Sequence, residues 1–227
     1  MVKKFFQRGY VYLVLAFLYA PIILLVIYSF NASKEIGYWS DEWNFSLYKM
    51  LFSNKKILTA VANTFILAFS SAIISTILGT MGAIGCFYSK RRIQKTLNGA
   101  TQINVINAEI VTGLSLALVF SMLGFPRTWA SLIISHVALG FPFVFLNVLP
   151  KLKQLNPNLY EAGLDLGASP TKALCSIVIP EIMPGVFSGF ILAITLSFDD
   201  YIITAFTRDT AFQTLSTYVY GVTSKKG

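Results

Sequence analysis

The chain is short of charge. Only 12% of its 227 residues are Asp, Glu, Lys or Arg, while 55% are hydrophobic and the mean hydropathy is +0.66. A soluble domain carries about a quarter charged residues, so there is too little polar surface here to cover a water-exposed globule. Disorder is excluded on the opposite ground, because 15% aromatic residues and abundant Leu, Ile and Val contradict a solvated coil. Histidine occurs once, as His136, with no Cys or carboxylate at metal-ligand spacing. That disfavours a metal centre and any Ser/His/Asp or Cys/His nucleophile, and leaves His136 a packed or hydrogen-bonded role. The two cysteines, Cys86 at the end of an apolar run and Cys175 in a basic-flanked loop, give no reason to expect a disulfide. No Gly-x-x-x-x-Gly-Lys-Ser/Thr loop occurs, so the chain is expected to bind no ATP through a P-loop and no cofactor of its own.

What is present is long apolar runs. A hydrocarbon core about 30 Å thick needs roughly 20 apolar residues per helix. Residues 11–30, 61–88, 129–149 and 184–207 qualify, and a fifth run at 103–125 does so with Asn104, Asn107 and Glu109 at its start. The composition therefore predicts an all-α integral membrane protein with five spans. The first run follows Lys3, Lys4 and Arg8 but is too long for a signal peptide and lacks a small-x-small cleavage site, so it reads as a retained anchor. The net charge of +8 is scattered through short loops, which suits lipid headgroups better than nucleic acid. With the N-terminus in the cytoplasm, Lys90, Arg91, Arg92 and Lys95 fall inside, as do Lys151, Lys153 and Lys172. The dense cluster at 90–95 supports that orientation more than the total, of which ten of 18 basic residues lie inside. Five spans leave the C-terminus outside at Ser224-Lys-Lys-Gly227, so a sixth, closing span is expected to be missing.

Between the last two runs, Pro150–Met183 is the longest cytoplasmic connection. Asn156-Pro157 and Ser169-Pro170 are helix starts, Gly167 is a left-handed helix end, and the second helix is expected to stop near Ile179 before Pro180. Glu161-Ala162-Gly163, three residues, Gly167, nine residues and Ile177-Val178-Ile179-Pro180 resemble the EAA loop of ATP-binding-cassette (ABC) importer permeases. Gly163 replaces the third Ala of that pattern and Ile179 its Leu. The resemblance implies that Glu161, Ala162, Gly163, Gly167, Ile177 and Pro180 dock on an ATPase subunit and pass its closure to the spans. A plain amphipathic surface helix is the competing reading of the same residues.

Carboxylates inside apparent spans are the second feature. Each ionised carboxylate near the bilayer centre costs about 2.5–3.5 kcal/mol on insertion scales, and no basic residue in the apolar runs offsets Glu109, Asp199 or Asp200. Glu109 reads either as an interfacial residue or as part of a polar entry into its span. Asp199 and Asp200 read either as the start of an external loop or as intramembrane groups, since the apolar run continues to Phe206. Neighbours on a helix point about 100° apart, so both Asp cannot face one narrow pathway unless the helix unwinds. One of the two is then free for substrate while the other caps or pairs elsewhere. Phe198 and Tyr201 flank the pair and either face lipid or offer cation–π faces.

Leu196-Ser197-Phe198-Asp199-Asp200-Tyr201 and Asn107-Ala108-Glu109-Ile110-Val111 resemble spans of spermidine/putrescine permeases of the PotC-like type, with Ala108 standing where that family has Pro. The aromatic stretch Trp43–Phe52 and the pair Asn63-Thr64 at the opening of the second span look like the same family. The resemblance implies a MetI-like permease of the bacterial inner membrane, with an anchor helix and aromatic extracytoplasmic loop over 1–60 and a core over 61–227 whose coupling loop spans 151–183. It implies polyamine import past Asp199, Asp200, Glu109, Phe198 and Tyr201. The implied partners are a homologous (PotB-like) permease, two ATPase subunits that bind ATP and Mg, and an extracytoplasmic polyamine-binding protein. Another cationic or small organic cargo is an alternative, and an ATP-independent secondary transporter a more distant one.

Overall fold

Each apolar run of the sequence becomes helix, because in lipid a helix alone satisfies its backbone within one segment. The computed structural model describes residues 2–31, 38–156 and 158–224, with backbone only for 2–8. Pro157, Lys225–Gly227 and the side chains of Lys3, Lys4 and Arg8 lie outside the described residues. The chain divides into two units, Met1–Leu58 and Thr59–Gly227.

In the first unit, α1 (Val2–Phe30) carries the first apolar run and α2 (Ser46–Ser53) lies in the aromatic segment. The two are tied by Ser29 Oγ and Tyr48 OH at 2.8 Å, and the turn between them by Asn31, whose Nδ2 donates to the Ser40 carbonyl at 2.8 Å while its Oδ1 accepts from Ser40 N–H. Phe30 packs edge-on to Phe45, and Tyr28 stands 4.7 Å from Trp39. Tyr38, Trp39, Trp43 and Phe45 stay more than half exposed, as amphipathic rings at a headgroup layer do.

In the second unit, α3 (Lys55–Phe87) is followed by α4 (Arg91–Ile106), α5 (Glu109–Met122) and α6 (Trp129–Gln154). Gln94 Nε2 closes the α3–α4 turn by donating to the Phe87 and Ser89 carbonyls. The run expected as a fifth span over 103–125, with a polar entry at Asn104, Asn107 and Glu109, is broken: α4 and α5 meet at 105°. Asn107 and Ala108 there are extended, at φ −65°, ψ 138° and φ −65°, ψ 135°. Those dihedrals are ones a proline adopts, so Ala108 sits in a proline-compatible conformation.

Next come α7 (Asn158–Asp165), α8 (Pro170–Ala173), a π-turn (Leu174–Val178) and α9 (Ile179–Asp199), then the short α10 (Ile202–Thr207) and α11 (Leu215–Thr223). Pro180 does not stop the helix. Ile179 N–H reaches back five residues to the Leu174 carbonyl, and this wide turn seats Pro180 at the start of α9, where its missing donor costs nothing. Pro170–Asp199 is therefore one apolar helix, and it ends at Asp199 where the sequence suggested a run on to Thr207. Among the described residues, four helices are long and apolar enough to cross a membrane, or five segments if the bent α4–α5 pair counts as one.

The core lies where α3, α6 and α9 converge, around Val144, Phe145, Val148, Leu152 and Ile182. Helices in lipid associate through close packing rather than expulsion of water, and small residues permit it. A Cβ on Gly79 would fall 2.7 Å from Val144 Cβ, and one on Gly189 3.0 Å from Val144 Cα. Asn63 and Thr64 do not open a span. They lie inside α3 and hold the segment before α11: Asn63 Nδ2 donates to the Gln213 carbonyl, and Thr64 Oγ1 accepts from Leu215 N–H at 2.8 Å.

Candidate functional site

Two places gather the candidate residues. The first is the segment between α6 and α9. Asn156 Oδ1 accepts from Asn158 N–H and starts α7. Gly167, at φ +85°, ends it: Gly167 N–H bonds the Leu164 carbonyl and Ala168 N–H the Gly163 carbonyl, a Schellman closure that needs the left-handed glycine. Ser169 Oγ then accepts from Lys172 N–H and starts α8. Gly163 is buried, and a Cβ there would lie 2.5 Å from Ile177 Cδ1, so the glycine at this position and Ile177 fit one another. Glu161 and Ala162 are exposed on α7, while Gly167 and Pro180 are also exposed. Tyr160 of α7 packs against Tyr88 beyond the end of α3, with ring centroids 5.3 Å apart. Burial, reinforced by Tyr160, raises the Tyr88 phenol above its ordinary range.

The second place is the break between α9 and α10. Asp200 leaves the helix at φ −63°, ψ 125° and turns inward, where it is 6% exposed. Its Oδ1 accepts from Ile203 N–H at 3.1 Å, and its Oδ2 from Thr204 N–H and Thr204 Oγ1, both at 2.8 Å. The carboxylate thus closes the first turn of α10. His136, buried on α6, reaches both sides of the break: Nδ1 meets Ser197 Oγ at 2.7 Å, and Nε2 meets Thr204 Oγ1 at 3.0 Å with Asp200 Oδ2 at 3.6 Å. Ser71 of α3 adds a contact to Ser197 at 3.2 Å. Ser131 Oγ of α6 lies 3.0 Å from the Thr207 carbonyl and ties down the far end of α10.

Asp199, by contrast, is exposed, and its carboxylate makes no hydrogen bond or ion pair among the described residues. It occupies the last residue of α9, the negative end of the helix dipole, which favours a cation nearby. Phe198 packs edge-on to Phe65 at 5.0 Å, and Tyr201 lies 4.2 Å from Tyr220. Glu109 sits exposed in the first turn of α5, at the other break, and no hydrogen bond joins it to the Asp pair. Its neighbour Asn107 donates through Nδ2 to Thr112 Oγ1 at 3.2 Å. The sequence reading placed Asp200 in the same candidate set as Asp199; the structure turns one inward and one outward. It also gave Ser71 and Thr204 no role. Ser197, Asp200 and Thr204 fall at i, i+3 and i+7, a polar stripe through an apolar run, and that spacing was the signal for an inward-facing network.

Known proteins resemble this chain over nearly its whole length. Residues 1–218 match the family described as binding-protein-dependent transport system inner membrane component. The spermidine/putrescine transport system permease protein PotC of Escherichia coli K12 is 30% identical over 98% of this chain and 84% of its own length. The putrescine transport system permease protein PotI of the same strain is 34% identical over 90% of this chain and 75% of its own. A PotC homolog of Mycoplasma genitalium is 28% identical over 96% of this chain and 81% of its own. Among solved structures, a bacterial ABC transporter that imports alginate gives a TM-score of 0.78 at 15% identity, over 96% of this chain and 78% of its own, a likeness of fold alone. The apolar helices, the broken spans and these matches together make the chain a multi-pass membrane permease subunit that belongs to the binding-protein-dependent transport system inner membrane component family.

Proposed function

We propose that this subunit imports polyamines, putrescine or spermidine, handed over by an extracytoplasmic binding protein. The observation that carries the reading is Asp199: an exposed, unpaired carboxylate at the negative end of an interrupted helix, on α9, which carries no basic residue. A linear polycation supplies the charge that such a group lacks, and interrupted helices are where transporters place ion and substrate sites. Glu109 at the second break gives a further anionic point, and Phe198 and Tyr201 offer ring faces beside the first. Names of the relatives at 28–34% identity support the same cargo.

The reading extends to the rest of the assembly. A homologous permease would complete the pathway, and two ATPase subunits holding ATP and Mg would dock on the segment from Glu161 to Pro180. Its exposed Glu161 and Ala162, rigid Gly167 closure and continuity with α9 suit that contact. The N-terminus would then be cytoplasmic, with the basic cluster Lys90–Lys95 on the same side as the ATPases. Uptake of labelled putrescine and spermidine by cells expressing the full transport system tests the cargo. Wild type should take up one or both, and Asp199→Asn should lose most uptake at unchanged membrane level. No uptake of either compound by wild type overturns it.

A further inference from the structure

We infer that His136 is a positioning residue for transport: it holds the α9–α10 break in one conformation and thereby fixes which way Asp199 points. The inference rests on the reading of Asp199 as a cargo contact, but its geometry stands by itself.

Hydrogen-bond accounting orders the protons of the network. Thr204 Oγ1 gives its proton to Asp200 Oδ2, so toward His136 it can only accept, and Nε2 must carry the ring proton. In the neutral ring Nδ1 is then an acceptor, and Ser197 Oγ donates to it. The chain runs in one direction, Ser197 to His136 to Thr204 to Asp200, from the last turn of α9 through α6 to the first turn of α10. Each hydroxyl has one proton and each is committed, so no second arrangement of equal quality exists. Ser197 and Asp199, two residues apart, point about 200° apart around α9. Drawing Ser197 inward therefore turns Asp199 outward, and holding Asp200 against α10 keeps it from taking Asp199's place. His136 touches neither Asp199 nor the open side of the break; it acts through Ser197 and Thr204.

The test uses the complete transporter with His136→Leu, His136→Gln, Ser197→Ala and Thr204→Val. His136→Leu keeps the volume and removes both bonds, His136→Gln keeps a donor for Thr204, and the other two delete one hydroxyl each without a large cavity. The inference expects KM for polyamine uptake to rise about tenfold in His136→Leu with Vmax largely kept, a smaller rise in Ser197→Ala and Thr204→Val, and partial rescue in His136→Gln. A second readout does not depend on the cargo. With Cys86 and Cys175 replaced, Asp199→Cys is labelled with a cationic thiol reagent, and His136→Leu should change the labelling rate several-fold. If wild type imports neither polyamine, the cargo reading fails and labelling alone decides the positioning role. Wild-type labelling in both His136→Leu and Ser197→Ala, or a KM in His136→Gln at least as high as in His136→Leu, overturns the inference.

Discussion

The molecule interrupts two of its helices, and it does so in opposite ways. At 200–201 the break is sealed: Asp200 supplies acceptors to the first backbone donors of α10, His136 braces it, and the network is buried. At 107–108 the break is open: Asn107, Ala108 and Glu109 are exposed, Ala108 provides no cap, and one side-chain bond, Asn107 to Thr112, spans the bend. A freed backbone donor in a membrane must find a partner, and a carboxylate is the strongest one available. The sealed break is thus a fixed joint of the scaffold. The open one is held chiefly by backbone torsion and by the packing of its two arms, α4 on α6 and α5 on α10, so it is expected to be the more yielding of the two.

The largest effect should come from the sealed joint. Asp200→Ala strands two N–H groups and a hydroxyl, and the purified assembly should lose about 3 kcal/mol of stability, read as a lowered Tm. Glu109→Gln should do the reverse: Tm unchanged, with KM for polyamine uptake raised roughly fivefold, near 1 kcal/mol of lost attraction. A Tm loss in Glu109→Gln matching that of Asp200→Ala would erase the distinction between the breaks. Asn107→Ala removes the single bond across the open joint and should cost no more than about 1 kcal/mol in a thermal melt. Ala108→Pro should have the smallest effect and the opposite sign. Both residue 107 and residue 108 already hold proline-compatible angles, so the substitution should raise stability by about 0.4–1 kcal/mol. A slower uptake turnover in that variant would show that the open joint moves.

The difference between the breaks also marks how far the sequence could be read. The spans, the glycine that ends α7 and the Ser-Pro start of α8 were legible because each depends on local chemistry: apolar length, a residue that tolerates positive φ, a capping hydroxyl. The path through Pro180 was not, because proline stops an α-helix but sits comfortably after a five-residue turn, and composition does not distinguish the two. Nor was the 105° bend: Asn104, Asn107 and Glu109 mark a polar entry, but only α6 and α10 decide where each arm lies. The fates of Asp199 and Asp200 were recognised as alternatives. Choosing between them required His136, 64 residues away in sequence and adjacent only after α6 packs against α9.

The π-turn at Leu174–Val178 has a mechanical consequence. Because it carries the chain past Pro180 within one helix, the 30 residues from Pro170 to Asp199 form a continuous helical segment about 45 Å long at 1.5 Å per residue. A tilt of about 10° at one end of such a segment sweeps the other through about 8 Å, longer than one helical turn. The start of this helix, just after Gly167, and the carboxylate of Asp199 thus lie at opposite ends of one helix, so a tilt about the first end would be a large displacement at the second.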